Sequence, residues 1–216
     1  FLDDGAAEER RTLAVKTRSA GSVLDAIAIS TPGALDPAAI ARVRDELRPE
    51  PLNADELHDA LVVHGFLTAA ETRDWAPLRD ELMRMRRVAR VIPASTSGDV
   101  LYVAAERLRE LRAVLPDARV EGDAPELGAA IDRDMALREL IRSRLEGRGP
   151  VTASELAAPL CIDAGEITLA LLALEQQGSV MRGAYTFDAG GEEEWCERRR
   201  LARIHRYTRD RQRAAF

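Results

Sequence analysis

Lysine is almost missing from this chain: Lys16 stands alone against thirty arginines. A phosphate loop of the G-x-x-x-x-G-K-[ST] type needs a lysine behind a glycine-rich turn. Lys16 sits in "AVKTR" with no such turn, so these residues hold no nucleotide-hydrolysing loop. Aromatics are only 4% of the residues, which leaves Ala, Leu, Val and Ile to build the core and favours helices. The two cysteines, Cys161 and Cys196, form no CxxC and adjoin no histidine cluster. That excludes a disulfide framework and a zinc site and fits a reducing cytoplasm. No apolar run approaches the roughly 18 residues of a membrane span, and no signal peptide opens the chain. Positive charge is short overall: net charge is −6, so no global field draws the protein to nucleic acid and any such contact must be local. Also missing are a G-x-S-x-G elbow, a Ser/His/Asp set and paired carboxylates. The chain starts at Phe1 rather than methionine and is expected to be a piece of something longer.

What is present is a repeat. "GFLTAAE" at 65–71 returns as "GPVTASE" at 149–155, 84 residues later, and Leu57 and Leu61 map onto Ile141 and Leu145 with the same offset. Each copy reads as a helix, a Gly-ended turn, a Thr-capped helix, a further helix and a two-stranded ribbon. In the second copy Leu137, Leu140, Ile141 and Leu145 recur at helical spacing. Thr152 with Glu155, and Asp163 with Glu166, predict capping boxes. Gly178 stops the third helix, and "SVMRGAYTF" predicts a tight hairpin turning near Arg182-Gly183. The first ribbon is "VARVIPASTSGDVLYVAA", with Val100, Tyr102 and Ala104 on one face. Upstream, "DPAAIARVRDEL" predicts a helix capped by Asp36 with Pro37 at its first position. "TLAVKT" suits a strand, and "SVLDAIAI" is ambiguous between strand and helix.

The expected fold is therefore mainly α with small β-ribbons, an α+β protein of tandem winged-helix modules followed by a basic helix. Residues 1–35 are the end of a preceding domain or a linker, 36–120 the first module, 121–190 the second, and 191–216 an arginine-rich helix leading to a next domain.

"DELH" at 55–58 matches the D-E-x-H box of helicases, but "RPEPLNA" precedes it in place of a buried strand. Asn53 and Glu56 instead predict a capping box, with Asp55 and Glu56 favouring the positive end of the helix dipole. His58 and His64 lie six apart, on opposite sides of one helix, and do not suggest a metal site. Cys161 reads as a small buried hydrophobe.

Binding residues remain. The third helix of the second copy carries Glu166 and Glu175 and no cation, so it reads as a packing surface rather than a base reader. Its wing adds Arg182. In the first copy, "LRDELMRMRRVAR" gathers Arg84, Arg86, Arg87 and Arg90 around the junction of helix and wing. The terminal stretch "WCERRRLARIHRYTRDRQRAAF" holds eight arginines. Arg199, Arg203, Arg206 and Arg213 share one face of it, and Leu201, Ile204 and Thr208 the other. Three readings stay open for that basic face: a phosphate backbone, an acidic protein surface, or solvent. The expected DNA-binding residues are Arg84, Arg87, Arg90, Arg182, Arg199, Arg203, Arg206 and Arg213, with no catalytic, cofactor or metal ligand among the 216 residues.

"EWCERRRLARIHRYTRDRQRA", "DELHDALVVHGFL", "LYVAAERL" and "GPVTASELAAPL…LLALEQQGSVMRG" together resemble the large helicase-related protein (Lhr) family of superfamily 2 helicases. The resemblance implies a non-catalytic C-terminal part of an ATP-dependent 3′-to-5′ DNA helicase involved in DNA repair. ATP and magnesium would belong to the parent motor and not to this chain. The implied partners are single-stranded or forked DNA, neighbouring domains of the same chain and a possible homo-oligomer, without a membrane. The alternatives are a stand-alone tandem winged-helix regulator or protein scaffold, and an enzyme in its own right such as a nucleobase-removing domain. No residue pattern speaks for the last of these.

Overall fold

The computed structural model describes residues 35–94, 99–186 and 191–214; "TLAVKT" and "SVLDAIAI" lie outside them. Helix α1 (Pro37–Leu47) starts where its sequence dictates: the Asp36 carboxylate accepts the Ala38 N–H at 3.0 Å, and Pro37 occupies the first position. Helix α2 (Ala54–His64) is capped by Asn53, which accepts the Glu56 N–H at 2.9 Å, but Glu56 accepts the Leu52 N–H rather than the Asn53 N–H, so the expected box is not closed. "DELH" is thus the first turn of a capped helix. Gly65, at φ 77°, closes α2 in the left-handed region that glycine enters freely.

Strand β1 (Leu67–Thr68) and a 3-10 turn lead into α3 (Ala76–Arg84), and β2 (Val88–Ile92) and β3 (Leu101–Ala104) follow. After α4 (Leu108–Val114), β4 (Arg119–Glu121) completes an antiparallel sheet of order β1-β3-β2-β4. The second copy runs α5 (Arg133–Glu146), β5 (Val151–Thr152), α6 (Ala153–Ala157), α7 (Ala164–Gln176), β6 (Val180–Gly183) and β7 (Glu194–Glu197). Its sheet has order β5-β7-β6, the plan of the first without the added β4. Helix α8 (Arg198–Ala214) closes the fold. The mixed α+β architecture is the class expected from the sequence.

The repeat is physical as well as textual. Thr152 Oγ1 accepts the Glu155 N–H at 3.2 Å while Glu155 accepts the Thr152 N–H at 2.8 Å. Thr68 and Glu71 make the same reciprocal pair at 3.1 and 2.8 Å. Replacing Thr152 with alanine is expected to cost about 1 kcal/mol, read as a lower midpoint in thermal unfolding. No loss would mean that the box is ornamental.

Other expectations need correction as well. The second ribbon does not turn at Arg182-Gly183: both residues are inside β6, paired with Trp195 and Glu194 of β7. The buried Glu194 carboxylate accepts the Tyr185 and Thr186 N–H groups and the Thr186 hydroxyl, at 2.6–2.8 Å, and pins the start of a longer connection. Trp195 is accordingly a core strand residue, 1% exposed, and α8 begins only at Arg198. Asp163 does cap α7, but it accepts the Gly165 N–H, and Glu166 turns instead to Arg133 at 2.6 Å. Cys161 is half-buried rather than buried; it sits in the left-handed region at φ 54°. Cys196 is buried, and burial pushes its thiol up to about 12, which leaves it unreactive.

The two copies share one core. Ala89, Val91 and Val103 on one face of the first sheet join Leu108 and Leu111 of α4, Leu140, Ile141 and Leu145 of α5, Leu171 and Leu174 of α7, and Trp195. The other face of that sheet, with Val88, Tyr102 and Ala104, packs on Leu57 and Leu61 of α2 and Leu82 of α3. Val100 packs against this second cluster, so the face expected from the ribbon's alternation is the observed one. A third cluster joins Ala39, Ile40 and Val43 of α1 to Cys196, Leu201 and Ile204, which lays α1 along α8. Among the described residues no helix is long and apolar enough to cross a membrane, and no group of His, Cys, Asp and Glu is arranged to hold a metal.

Candidate nucleic-acid interface

Helix α8 has one face to bury and one to offer. Leu201 and Ile204 are 1% and 0% exposed. Glu197 accepts the Arg200 N–H at 3.0 Å and so caps the first turn. The eight arginines then divide. Arg203 meets Glu46 of α1 at 2.7 Å, Arg211 meets Asp36 at 2.9 Å, and Arg200 donates to the Glu146 carbonyl at 3.0 Å. Tyr207 lies between the helices: its hydroxyl donates to Glu46 at 3.1 Å, and the Arg42 guanidinium stacks 4.0 Å from its ring centroid. Apart from the Arg200 bond, which reaches the end of α5, these contacts make a seam between α1 and α8.

Arg199, Arg206, Arg209 and Arg213 are exposed, and none has an acidic partner among the described residues. Arg199, Arg206 and Arg213 are seven residues apart, which keeps them within about 20° per step on one side of the helix. Of the four arginines expected on this face, three stay available and Arg203 is taken up by the seam. Near the start of α8, a groove of about 540 Å³ is lined by Arg142, Gln177, Ser179, Arg198 and Arg199, with Glu146 and Glu197 on its wall.

The other expected cations are more committed. Arg87 pairs with Asp55, Arg90 with Glu121 at 2.8 Å, and Arg182 with Glu175 at 3.2 Å. Arg84 is exposed without an acidic partner among the described residues, and Arg86 donates to the Asp123 carbonyl from a left-handed backbone. The structure brings the α8 arginines together as a row. It spends the charge of Arg87, Arg90 and Arg182 on neighbouring carboxylates. Helix α7 carries no cation, and both of its acidic side chains expected to repel phosphate, Glu166 and Glu175, are held by arginines.

A second basic site was not read from the sequence. It is a cleft of about 450 Å³ where the two copies meet, lined by Arg44, Arg48, His64, Glu71, Trp75, Arg144 and Arg148, among others. Arg144 is 3% exposed; it donates to the Phe66 carbonyl and to Glu71 Oε1, both at 2.7 Å, and stacks 4.6 Å from the Phe66 ring centroid. Arg148 donates to the same Glu71 oxygen at 2.9 Å. Burial alone would raise the Glu71 carboxyl, but the charge and hydrogen bond of Arg144, the Thr68 N–H and Arg148 outweigh it and hold it at about 2. Burial, helped by Arg144, Arg148 and Arg200 against the opposing pull of Glu71, lowers His64 to about 4. Near neutral pH the cleft therefore presents an anion that takes no proton, a neutral imidazole and four guanidiniums. It is suited to holding negative groups rather than to passing protons.

One signal of this site was in the sequence. Arg144 falls in the apolar stripe of α5, at i+7 from Leu137 and beside Leu145. An arginine on a buried face requires a carboxylate, and the repeated Thr-x-x-Glu marked Glu71. Their meeting across 73 residues was not readable from either motif.

The comparison with known families overturns the helicase assignment. Residues 4–215 match the family model described as "DNA glycosylase AlkZ-like". No curated protein matches the chain. The expectation of a helicase fragment, with its ATP-dependent translocation, is replaced; the expected ATP and magnesium of a parent motor rested on that resemblance alone. DNA repair and DNA as a partner are the parts of the sequence-based expectation that the family retains. The helix-and-ribbon units which suggested a motor's accessory region are a scaffold that many functions share. A match spanning nearly the whole length places this chain in the AlkZ-like DNA glycosylase family.

Proposed function

We propose that this chain grips duplex DNA for base excision: it engages backbone phosphates through the exposed arginines of α8 and takes part in hydrolysing the N-glycosidic bond of a modified nucleotide. In that reaction water adds at the sugar C1′ and the base leaves with the bonding electron pair. The observation that carries the reading is the family match over residues 4–215, joined to the row Arg199, Arg206 and Arg213 on an otherwise acidic chain. Phosphate contacts of this kind position a protein without reading sequence. The absence of any cation from α7 supports the same view and speaks against an operator-reading regulator. Duplex is the proposed partner because a base-removing enzyme meets its target in a stack and extrudes it. The single-stranded or forked preference was tied to a translocating motor.

Changing Arg199, Arg206 and Arg213 together to alanine is expected to weaken duplex binding about 30- to 100-fold at low salt. It should also reduce the slope of log affinity against log salt by about 2–3, since each lost phosphate contact removes close to one. Fluorescence anisotropy over a salt series measures both. Arg203→Ala is the control: it breaks the seam with Glu46, so it should lower stability more than the salt slope. An unchanged slope in the triple variant refutes the α8 contact. Base removal is checked separately, by alkaline cleavage at abasic sites after incubation with duplexes that each carry one modified base.

A further inference from the structure

The cleft between the two copies has more positive charge than its own carboxylate can balance. Arg144 and Arg148 share a single oxygen of Glu71, at 2.7 and 2.9 Å. Arg44 has only the Pro150 carbonyl as a partner among the described residues, at 2.7 Å. Arg48 reaches Asp74 at 3.3 Å, with both side chains mostly exposed, so that pairing is weak and exchangeable. Among the described residues, Glu71 is the one carboxylate in the cleft wall. His64 is lowered chiefly by burial, and Arg144 and Arg148 add to that by disfavouring a further positive charge beside them.

We infer that this cleft is a phosphate-ester site, in which Arg44, Arg48 and Arg148 take the phosphate and Trp75 forms a wall beside it. Arg144 and Glu71 are its fixed floor. Guanidinium forks match phosphate oxygens in pairs, and a dianionic or monoanionic ester supplies the negative charge that the floor lacks. A volume of about 450 Å³ accommodates a nucleotide-sized group. The site is separate from the α8 row, and its assignment does not depend on base excision. The ester has two sources: a terminal phosphate or free nucleotide, or a phosphodiester of bound DNA.

The test is calorimetric titration of the full chain with inorganic phosphate, with 5′-dAMP, and with a decamer that has hydroxyls at both ends. Tryptophan fluorescence is followed in parallel. Trp75 lines the cleft and Trp195 is buried in the core, so a saturable change in emission that disappears in Trp75→Phe locates the ligand. Arg44→Gln and Arg148→Gln are each expected to weaken binding about ten-fold, and Arg48→Gln less. Arg44→Gln disturbs only a carbonyl contact, so it remains decisive where Arg148→Gln unfolds the junction. Binding of phosphate and 5′-dAMP identifies the monoester source, and binding of the decamer alone identifies the diester. The Arg199, Arg206, Arg213 variant should keep the response, so the two proposals fail separately. No saturable signal with any of the three probes, a response that survives Trp75→Phe, or unchanged affinity in Arg44→Gln overturns the site.

Discussion

Replacing Arg144 with alanine is expected to destabilise the protein by about 3–5 kcal/mol, the cost of breaking a buried charge pair by removing one partner. The change strands the Phe66 carbonyl at one end, takes one of the three partners of the Glu71 carboxylate at the other, and removes the guanidinium from the Phe66 ring. For a chain of this size the unfolding midpoint should fall by on the order of 10 °C. Because Phe66 and Glu71 belong to the first copy and Arg144 to the second, the loss should appear as one cooperative transition at lower denaturant. A cycle combining Arg144→Ala with Glu71→Ala should return a coupling above about 1 kcal/mol. A loss under about 1 kcal/mol in the single variant would show that the apolar core holds the copies together unaided.

Acid should undo the same junction in two overlapping stages. His64 is held at about 4 in the folded protein against an ordinary 6.5, so the folded state favours the neutral ring. Its contribution is complete above pH 6.5 and is lost as pH falls towards and through 4. Glu71 is held at about 2 against 4.5, so its contribution is complete above 4.5 and is lost as pH falls through 2. Both losses have the same sign, because the unfolded chain binds more protons in each window. The His64 share amounts to about 3 kcal/mol at most. Denaturant midpoints measured between pH 7 and pH 2 should therefore decline over most of that range. His64→Phe should flatten the upper stage and leave the lower one. Identical slopes in the variant and the parent would remove His64 from the explanation.

How much of this was legible depended on the range of the interaction. The helix starts at Asp36, Asn53 and Thr152 were readable because a cap is made by residues two or three positions apart. The second ribbon misled because Arg182-Gly183 has the local look of a turn, while its real partner strand is set by Trp195 entering the core. Function was misassigned for a related reason. Basic helices and ribbons specify a surface suited to an anion, and they do not say what chemistry the rest of the protein performs.

By itself the sequence determined the doubled helix-and-ribbon plan, the caps, and the row of arginines opposite Leu201 and Ile204. All of these follow from backbone periods and hydrogen bonds between near neighbours. Tertiary structure alone decided which cations remain free to meet an anion. Arg203 was withdrawn by Glu46 and Arg211 by Asp36, whereas Arg44, Arg144 and Arg148 were gathered into one cleft. The physical reason is that a side chain's available charge depends on whichever carboxylate packing brings beside it, and packing joins residues as distant as Glu46 and Tyr207.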